Sequence, residues 1–305
     1  MDDFAFVNKS YIKDLEWSFV LYQSFEAFVW PKREFYLIVP DADISHFAKR
    51  FEVAKDSGEI DKQPNILAES AIITCAGISE EDICQMYAGL GGWGVQQVIK
   101  LAFYHSGFAE NYLTIDSAAV FTREVDFRDE FFDGLGRLRT QASPVSRAFR
   151  ARFLNENGQH GFLDGAPACL SDSFDAISTV LGNLSDETHW YTSGTGIFSA
   201  KALASLEGFL KSKGFKDFVA AICFAPYELT WYGEYLFMYQ PIDFVPVGPE
   251  LMHHNETIEK LTICLEGEVI LPKQERRIGF LFQPPISEGR IQDVIKKIES
   301  YHLAN

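Results

Sequence analysis

The stretch "NYLTIDSAAVF", residues 111–121, has the pattern of a buried strand that ends in an acid. Its apolar run stops at Asp116, and Ser117 and two alanines follow before the chain turns apolar again. A carboxylate at the end of a buried strand is unfavourable unless it has a partner or faces a wet cleft. Asp116 therefore either caps the next turn or faces a ligand, and spacing alone leaves both interpretations open.

Apolar runs of strand length alternate with stretches of helical spacing in the first part of the chain. The segments "DFAFVNKS" (3–10), "EFYLIVP" (34–40) and "AIIT" (71–74) are predicted strands. The segments "KDLEWSFVLYQSFEAF" (13–28) and "GGWGVQQVIKLAFYHSG" (91–107) are predicted helices. The alternation predicts an α/β fold with a mostly parallel central sheet flanked by helices.

Ligands of such sheets bind beyond the carboxyl ends of the strands. Ser10 and Asp116 both follow a predicted strand, so both are candidate ligand contacts. On the helix after "GG", residues 93, 96, 97 and 100 are three or four apart and share one face.

The rest of the chain is less regular. Helices are predicted for "SPVSRAFRARFLNENG" (143–158), "LSDSFDAISTVLGNL" (170–184), "YELTWYGEYLFMY" (227–239) and "IQDVIKKIESY" (291–301), and a strand for "IGFLFQ" (278–283). No repeat and no clear linker interrupts the sequence. We therefore predict one domain over residues 1–305.

Composition excludes several classes of function. The formal charge of -16 disfavours a nucleic-acid partner, because an acidic surface repels phosphate backbones. P-loop, dinucleotide and zincin motifs are missing.

The five cysteines form no CxxC pair, which is typical of free thiols in a reducing compartment. No apolar run reaches the ~18 residues of a membrane span. The predicted location is cytoplasmic, and peripheral contact with the inner membrane stays open.

Three segments together carry a resemblance to a known family. They are "GGWGVQQVIKLAF…YLTIDSAAVFTREVDF", "FVNKSYIKDLEWSFVLYQSFEAFV" and "PYELTWYGEYL". In this order they resemble a family of bacterial glycosyltransferase-like proteins, largely uncharacterised and associated with capsule and surface-polysaccharide synthesis. The likeness runs from about residue 4 to about residue 240. It implies a GT-A-like fold, with about residues 1–122 as the nucleotide-binding half and about 123–305 as the acceptor half and C-terminal helix.

The resemblance also implies a metal site at the end of the predicted strand. The motif of the family reads Asp, small residue, Asp, and its first acid matches Asp116. Its second acid matches Ala118, which is a departure. Mn²⁺ or Mg²⁺ prefers carboxylate ligands and neutralises a leaving diphosphate. A histidine in the C-terminal part often completes such a site, and His253 is the candidate here.

Substrate contacts are implied at further positions. Gln96, Gln97 and Lys100 match the family's helix and would position the diphosphate or sugar of the donor. Glu228 and Tyr232 match its Glu-x-x-x-Tyr-Gly stretch, where the Glu would serve as the base for an acceptor. The rings of the same stretch, at 231, 232 and 235, are candidates for stacking on a sugar. For each of these residues, an ordinary core or surface position is the alternative.

Two functions from different classes remain. The first is a hexosyltransferase that uses a nucleotide-sugar donor and a glycan or lipid-linked acceptor. The second is a non-catalytic nucleotide- or partner-binding protein, which Ala118 would permit. A second carboxylate near Asp116, with Glu124 and Asp126 as the candidates, would favour the enzyme.

Overall fold

A computed structural model describes residues 2–148, 170–191, 195–248, 252–254 and 279–281. The helices are α1 (Leu15–Phe28), α2 (Ile44–Ser57), α3 (Glu69–Cys75), α4 (Glu80–Ala102), α5 (Phe127–Phe131), α6 (Leu170–Leu181), α7 (Ala200–Ser212), α8 (Phe218–Phe224) and α9 (Glu228–Tyr239). The strands are β1 (Asp2–Lys9), β2 (Val29–Trp30), β3 (Glu34–Val39), β4 (Asn65–Ala68), β5 (Ala109–Ile115), β6 (Ala119–Phe121), β7 (Val125–Asp126), β8 (Leu138–Gln141), β9 (Ser143–Ser146), β10 (Glu187–Trp190), β11 (Thr195–Ser199), β12 (Phe244–Val247), β13 (Met252–His254) and β14 (Gly279–Leu281).

The central sheet has five strands in the order β11-β5-β1-β3-β4. Strands β1 and β3 pair in parallel, as do β3 and β4. Residues 4–9 of β1 and 35–39 of β3 are buried at every position, which is the pattern of strands covered on both faces. The predicted α/β fold with a mostly parallel central sheet is therefore confirmed.

The chain divides into two compact units that are not consecutive in sequence. The first unit comprises Met1–Asp3, Ser70–Tyr112 and Arg137–Pro249, and the second comprises Phe4–Glu69, Leu113–Gly136 and Glu250–Asn305. Strands β1 and β5 contribute residues to both units.

Aromatic side chains dominate both cores. In the second unit, the ring of Tyr22 on α1 meets Phe35 edge-on at 5.2 Å and Phe51 at 5.5 Å between centroids. In the first unit, Phe198 of β11 lies 5.5 Å from Tyr112 of β5 and 4.8 Å from Tyr232 of α9. Such pairs contribute about 0.5–1.5 kcal/mol each beyond the burial of their area.

Two predicted elements are wrong. The "AIIT" run belongs to helix α3, and the strand at this place is β4, immediately before it. Both runs are four residues long, and periodicity does not separate strand from helix at that length. Residues Ser143–Ser146, predicted to begin a helix, form strand β9, which pairs antiparallel with β10. The helix predicted for 291–301 lies outside the described residues.

The predicted helix at 91–107 is confirmed, but it begins earlier and contains a kink. Helix α4 starts at Glu80, and Gly91 interrupts it with φ 65°. Glycine tolerates this backbone conformation at no steric cost. In the part of the chain that the structure describes, no helix is both long enough and apolar enough to cross a membrane.

Candidate functional site

The carboxyl ends of β1 and β5 lie side by side in the second unit. The side-chain amide of Asn8 donates from Nδ2 to the carbonyl oxygen of Ile115 at 2.8 Å and to Ser117 Oγ at 3.3 Å. Ser10 and Asp116, the two residues predicted to follow strands toward a ligand, are thus at one edge of the sheet.

Ser10 is part of a buried serine cluster. Its hydroxyl oxygen accepts hydrogen bonds from Ser18 Oγ at 2.7 Å and from Ser117 Oγ at 3.0 Å. Its backbone N–H donates to the carbonyl oxygen of Ile38 on β3 at 2.9 Å. These bonds fix the chain where it leaves β1.

A buried ion pair lies at the same edge. Lys9 Nζ is 2.5 Å from Glu69 Oε1, and each side chain is only 7% exposed. The ammonium also donates to the carbonyl oxygen of Ser10 at 2.7 Å. The Lys9 ammonium therefore already has a carboxylate and a carbonyl oxygen of the protein as partners.

Asp116 is half-buried, and a second carboxylate acts on the same region. Asp14, in the single 3₁₀ turn after β1, has its pKa raised to about 6. Burial of the Asp14 carboxyl is the largest cause, and the negative charge of Asp116 is the next. The charges of Lys9 and Lys13 oppose the shift. The acid that interacts with Asp116 is therefore Asp14.

The sequence suggested other second acids. Asp126 instead caps helix α5, since its Oδ1 accepts from the backbone N–H of Arg128 at 2.9 Å. Glu124 is exposed. Ala118 is half-buried and supplies no ligand. Asp43, the residue immediately before α2, uses its carboxylate to accept from the N–H of Ile12 at 2.9 Å, which holds the turn that carries Asp14.

A divalent cation has a limited set of ligands here. No group of three or more His, Cys, Asp and Glu side chains converges anywhere in the described ranges. His253 is in strand β13, and its side chain is not among those described. Mg²⁺ characteristically binds through one or two carboxylates together with substrate phosphates. Asp116 with Asp14 fits that smaller set.

The pKa of Asp14 predicts a pH-dependent change in stability. Because the pKa of Asp14 in the folded state, about 6, exceeds its ordinary value of 3.8, folding favours the protonated acid. Its ionisation therefore lowers stability progressively from about pH 4 to pH 6 and above. We expect Asp14→Asn to raise the free energy of unfolding by about 1 kcal/mol at pH 8, after allowance for solvent screening.

Urea unfolding at pH 4 and pH 8 measures this effect. The gain should be much smaller at pH 4, where the wild-type acid is protonated in the folded state and about half protonated in the unfolded state. Asp56→Asn, on the exposed surface of α2, is the matched control and should change stability by less than about 0.5 kcal/mol. An equal rise in the free energy of unfolding at pH 4 and pH 8 would contradict the raised pKa of Asp14.

A second cluster of polar side chains lies in the first unit. Lys100 Nζ on α4 is 3.4 Å from Glu228 Oε1, and the two residues are 5% and 8% exposed. Gln97 Oε1 accepts from the backbone N–H of Glu228, the first residue of α9, at 3.1 Å. The hydroxyl of Tyr112 donates to the Lys100 carbonyl oxygen at 2.8 Å. Three of the predicted site residues are thus brought together.

Gln96 and Tyr232, the other two predicted contacts in this unit, have different surroundings. Gln96 is half-buried on α4. Tyr232 is 2% exposed, and its hydroxyl accepts from the backbone N–H of Ser199 at 2.8 Å. The ring of Tyr232 also lines a small internal cavity with Thr140 and Tyr191.

The aromatic rings suggested for sugar stacking are mostly core residues. Trp231 is 0% and Tyr235 is 5% exposed, so neither offers a ring face to solvent. Half-buried rings occur instead at Trp93 and Tyr227, whose centroids are 5.9 Å apart in an edge-on arrangement. Tyr227 stacks on Phe174 at 4.6 Å. The position of Trp93 on the face of Gln97 and Lys100 was visible in the sequence, but its partner Tyr227 was not.

Comparison with solved structures supports the fold. The chain is similar to the galactosyltransferase LgtC, whose crystal structure contains donor and acceptor sugar analogs. The TM-score is 0.51 at 13% identity, and the match covers 97% of this chain and 95% of the LgtC chain. At this identity the likeness shows the fold alone, and it confirms the expected GT-A-like architecture. No protein with a curated function matches the sequence.

A family match covers most of the chain, including both polar groups described above. It extends over residues 5–243 of the 305. The chain belongs to the family of unknown function DUF6492.

Proposed function

We propose that the protein is a glycosyltransferase that moves a hexose from a nucleotide-diphosphate sugar to a glycan or lipid-linked acceptor. The observation that carries the proposal is the edge formed by β1 and β5, where Asp116 and Asp14 act on one another beside Ser10. Similarity in fold to LgtC, a galactosyltransferase, supports it.

The donor belongs to the second unit in this proposal. Asp116 and Asp14 would hold Mg²⁺ or Mn²⁺, with His253 as a further candidate ligand. When bound, the cation neutralises the negative charge of the leaving diphosphate. Ser10 keeps the turn after β1 in place through its bonds to Ser18 and Ser117. The mutual repulsion of the two carboxylates falls when a cation binds, which favours binding at neutral pH.

The acceptor belongs to the first unit. Glu228 would accept the proton of the acceptor hydroxyl. The oxygen of that hydroxyl would bond to the anomeric carbon of the donor sugar as the bond from this carbon to the diphosphate breaks. Lys100 and Gln97 hold Glu228, through its carboxylate and its backbone N–H respectively. Gln96 and Tyr232 remain proposed substrate contacts of the same unit.

The proposal treats residues 1–305 as one GT-A-like domain. Its nucleotide-binding half is about residues 1–122, from which α4 contributes Gln97 and Lys100 to the acceptor site, and its acceptor half is about residues 123–305. Surface-polysaccharide synthesis in a bacterial cytoplasm, with peripheral contact to the inner membrane, is the setting that fits a lipid-linked acceptor.

One observation favours an alternative function. Ala118 stands where the family motif suggested by the sequence has its second acid, and the described residues contain no cluster of three metal ligands. A catalytically inactive nucleotide- or partner-binding protein would have these features. It would bind a nucleotide without breaking the bond between sugar and diphosphate.

Release of nucleoside diphosphate from UDP-glucose, UDP-galactose and GDP-mannose distinguishes the two functions. With Mn²⁺ and a mixture of glycan acceptors, we expect release that falls at least about a hundredfold in Asp116→Asn and in Glu228→Gln, as is usual when a catalytic group is lost. Asp126→Asn, which alters only a helix cap, is the matched control for Asp116. Binding of a nucleotide with no release from any donor would favour the inactive alternative.

A further inference from the structure

The first unit contains a cluster of polar side chains in which the cation is paired with a carboxylate, unlike the unpaired cations of a phosphate site. We define the Gln97 site as Trp93, Gln97, Lys100, Tyr227 and Glu228. We infer that the Gln97 site binds an uncharged saccharide through its hydroxyl groups, which rests on the proposed function and names the acceptor class. The sequence had instead assigned Lys100 and Gln97 to the donor.

Charge is the first argument. Lys100 and Glu228 are both buried, and their charged atoms are 3.4 Å apart. The two opposite charges offset each other at close range, so Lys100 does not present an unopposed positive charge. A phosphate oxygen that approached Lys100 would also approach the Glu228 carboxylate and be repelled by it. A neutral ligand meets no such repulsion.

The amide of Gln97 is the second argument. The N–H of Glu228 needs an acceptor, so Oε1 of Gln97 must face it, at 3.1 Å. This fixes the orientation of the amide and leaves Nε2 as a buried donor without an acceptor among the residues that the structure describes. Gln97 is 2% exposed, and a buried donor without an acceptor is unfavourable.

A hydroxyl group complements both side chains. Its oxygen accepts from an amide N–H, and its hydrogen donates to a carboxylate. Nε2 of Gln97 can provide that donor and the Glu228 carboxylate that acceptor, on two residues that the bond from the Glu228 N–H to Gln97 Oε1 holds next to each other. A phosphate dianion has no hydrogen to donate, so it could accept from Gln97 and Lys100 but would leave the Glu228 carboxylate without a donor.

The neighbouring aromatic rings are the third argument. Trp93 and Tyr227 are half-buried, so part of each ring reaches the surface. Tyr227 is held by its stack on Phe174 at 4.6 Å and by the edge of Trp93 at 5.9 Å. Flat apolar rings beside a few placed polar groups suit a ligand with both apolar C–H faces and hydroxyls. A sugar ring has both.

Saturation-transfer NMR on the full-length chain tests the inference with lactose, cellobiose and maltose, three uncharged disaccharides. Glucose 6-phosphate is the anionic probe, compared with methyl glucoside as its neutral counterpart. We expect at least one disaccharide to bind, and methyl glucoside to bind no more weakly than glucose 6-phosphate. No signal from any disaccharide, or preferential binding of the phosphate, overturns the assignment.

Two variants locate the binding. Gln97→Glu keeps an acceptor for the Glu228 N–H but removes the Nε2 donor, and we expect about a five- to tenfold loss of saccharide affinity. Trp93→Leu keeps an apolar side chain but removes the ring, with about a tenfold loss. Gln85→Met, on the exposed side of α4, is the matched control and should bind as wild type. Unchanged affinity in both Gln97→Glu and Trp93→Leu overturns the inference.

UDP binding separates this inference from the proposed function. Both variants should keep any stabilisation by UDP, which also shows that they fold. If saccharide binding depends on Gln97 but no nucleotide binds to wild type, the saccharide site is supported and the proposed transferase function is contradicted. If UDP binds and no disaccharide does, the inference falls and the donor assignment stands.

Discussion

Replacing Lys100 with methionine is expected to lower the free energy of unfolding by about 3–5 kcal/mol. The change leaves the Glu228 carboxylate, which is 8% exposed, without the cation 3.4 Å away. Removing one partner of a buried pair is much more harmful than removing both, because the remaining charge stays desolvated. Urea unfolding followed by circular dichroism measures the loss.

Two comparisons make this result interpretable. The double variant Lys100→Met with Glu228→Met should recover most of the lost stability, since no buried charge remains. Lys216→Met removes one partner of the exposed pair between Lys216 and Asp82 in the same unit, and the unfolding midpoint should hardly move. If Lys100→Met proves as mild as Lys216→Met, the pair is not desolvated and the argument for a neutral buried site fails.

Replacing Trp231 with alanine is expected to lower the free energy of unfolding by about 3–5 kcal/mol. Its side chain is 0% exposed, and its indole N–H donates to the carbonyl oxygen of Ala225 at 2.8 Å. The ring also meets Phe215 edge-on at 5.8 Å. The substitution removes a large buried side chain and leaves a cavity that the helices can only partly close.

Trp30→Ala is the matched control, because Trp30 is 66% exposed. Its effect should stay within about 0.5 kcal/mol. The comparison also tests the role of Trp231, which the sequence allowed as a sugar-stacking residue. A Trp231→Ala protein of normal stability that had lost saccharide binding would contradict its assignment to the core.

The fold class could be predicted because its signal is local. Short apolar runs such as "FAFV" in β1 and "FYLIV" in β3 mark strands, and a segment of helical spacing separates them. The boundary between β4 and α3 could not be predicted, because "NILA" and "AIIT" are adjacent apolar runs of equal length. Glu69 between them starts the helix, where an acid in the first turn is favourable.

The individual site residues could be proposed from the sequence, but their partners could not. Lys100 and Glu228 are 128 residues apart, and nothing in either local sequence indicates the ion pair. The interaction of Asp14 with Asp116 likewise depends on how the turn after β1 folds. Asp43, which is 31 residues from Ile12 in the sequence, holds that turn by accepting from the Ile12 N–H.

Aromatic residues gave the least reliable signal. Trp231 and Tyr235 lie in a stretch that suggested a sugar-stacking surface, and both are buried. Helix α9 is apolar on nearly all sides, so its sequence does not show which rings remain at the surface. Trp93, just after the Gly91 kink of α4, and Tyr227, immediately before α9, are half-buried because packing leaves part of each ring uncovered.

Thermal unfolding of the purified protein with UDP, GDP and CMP, each with and without Mn²⁺, tests the donor assignment most directly. A ligand at a hundred times its dissociation constant adds about 2.7 kcal/mol to stability, which is a clear rise in melting temperature. We expect a rise with UDP that requires Mn²⁺ and is lost in Asp116→Ala. A melting temperature unchanged by every nucleotide, or a rise that persists in Asp116→Ala, would contradict it.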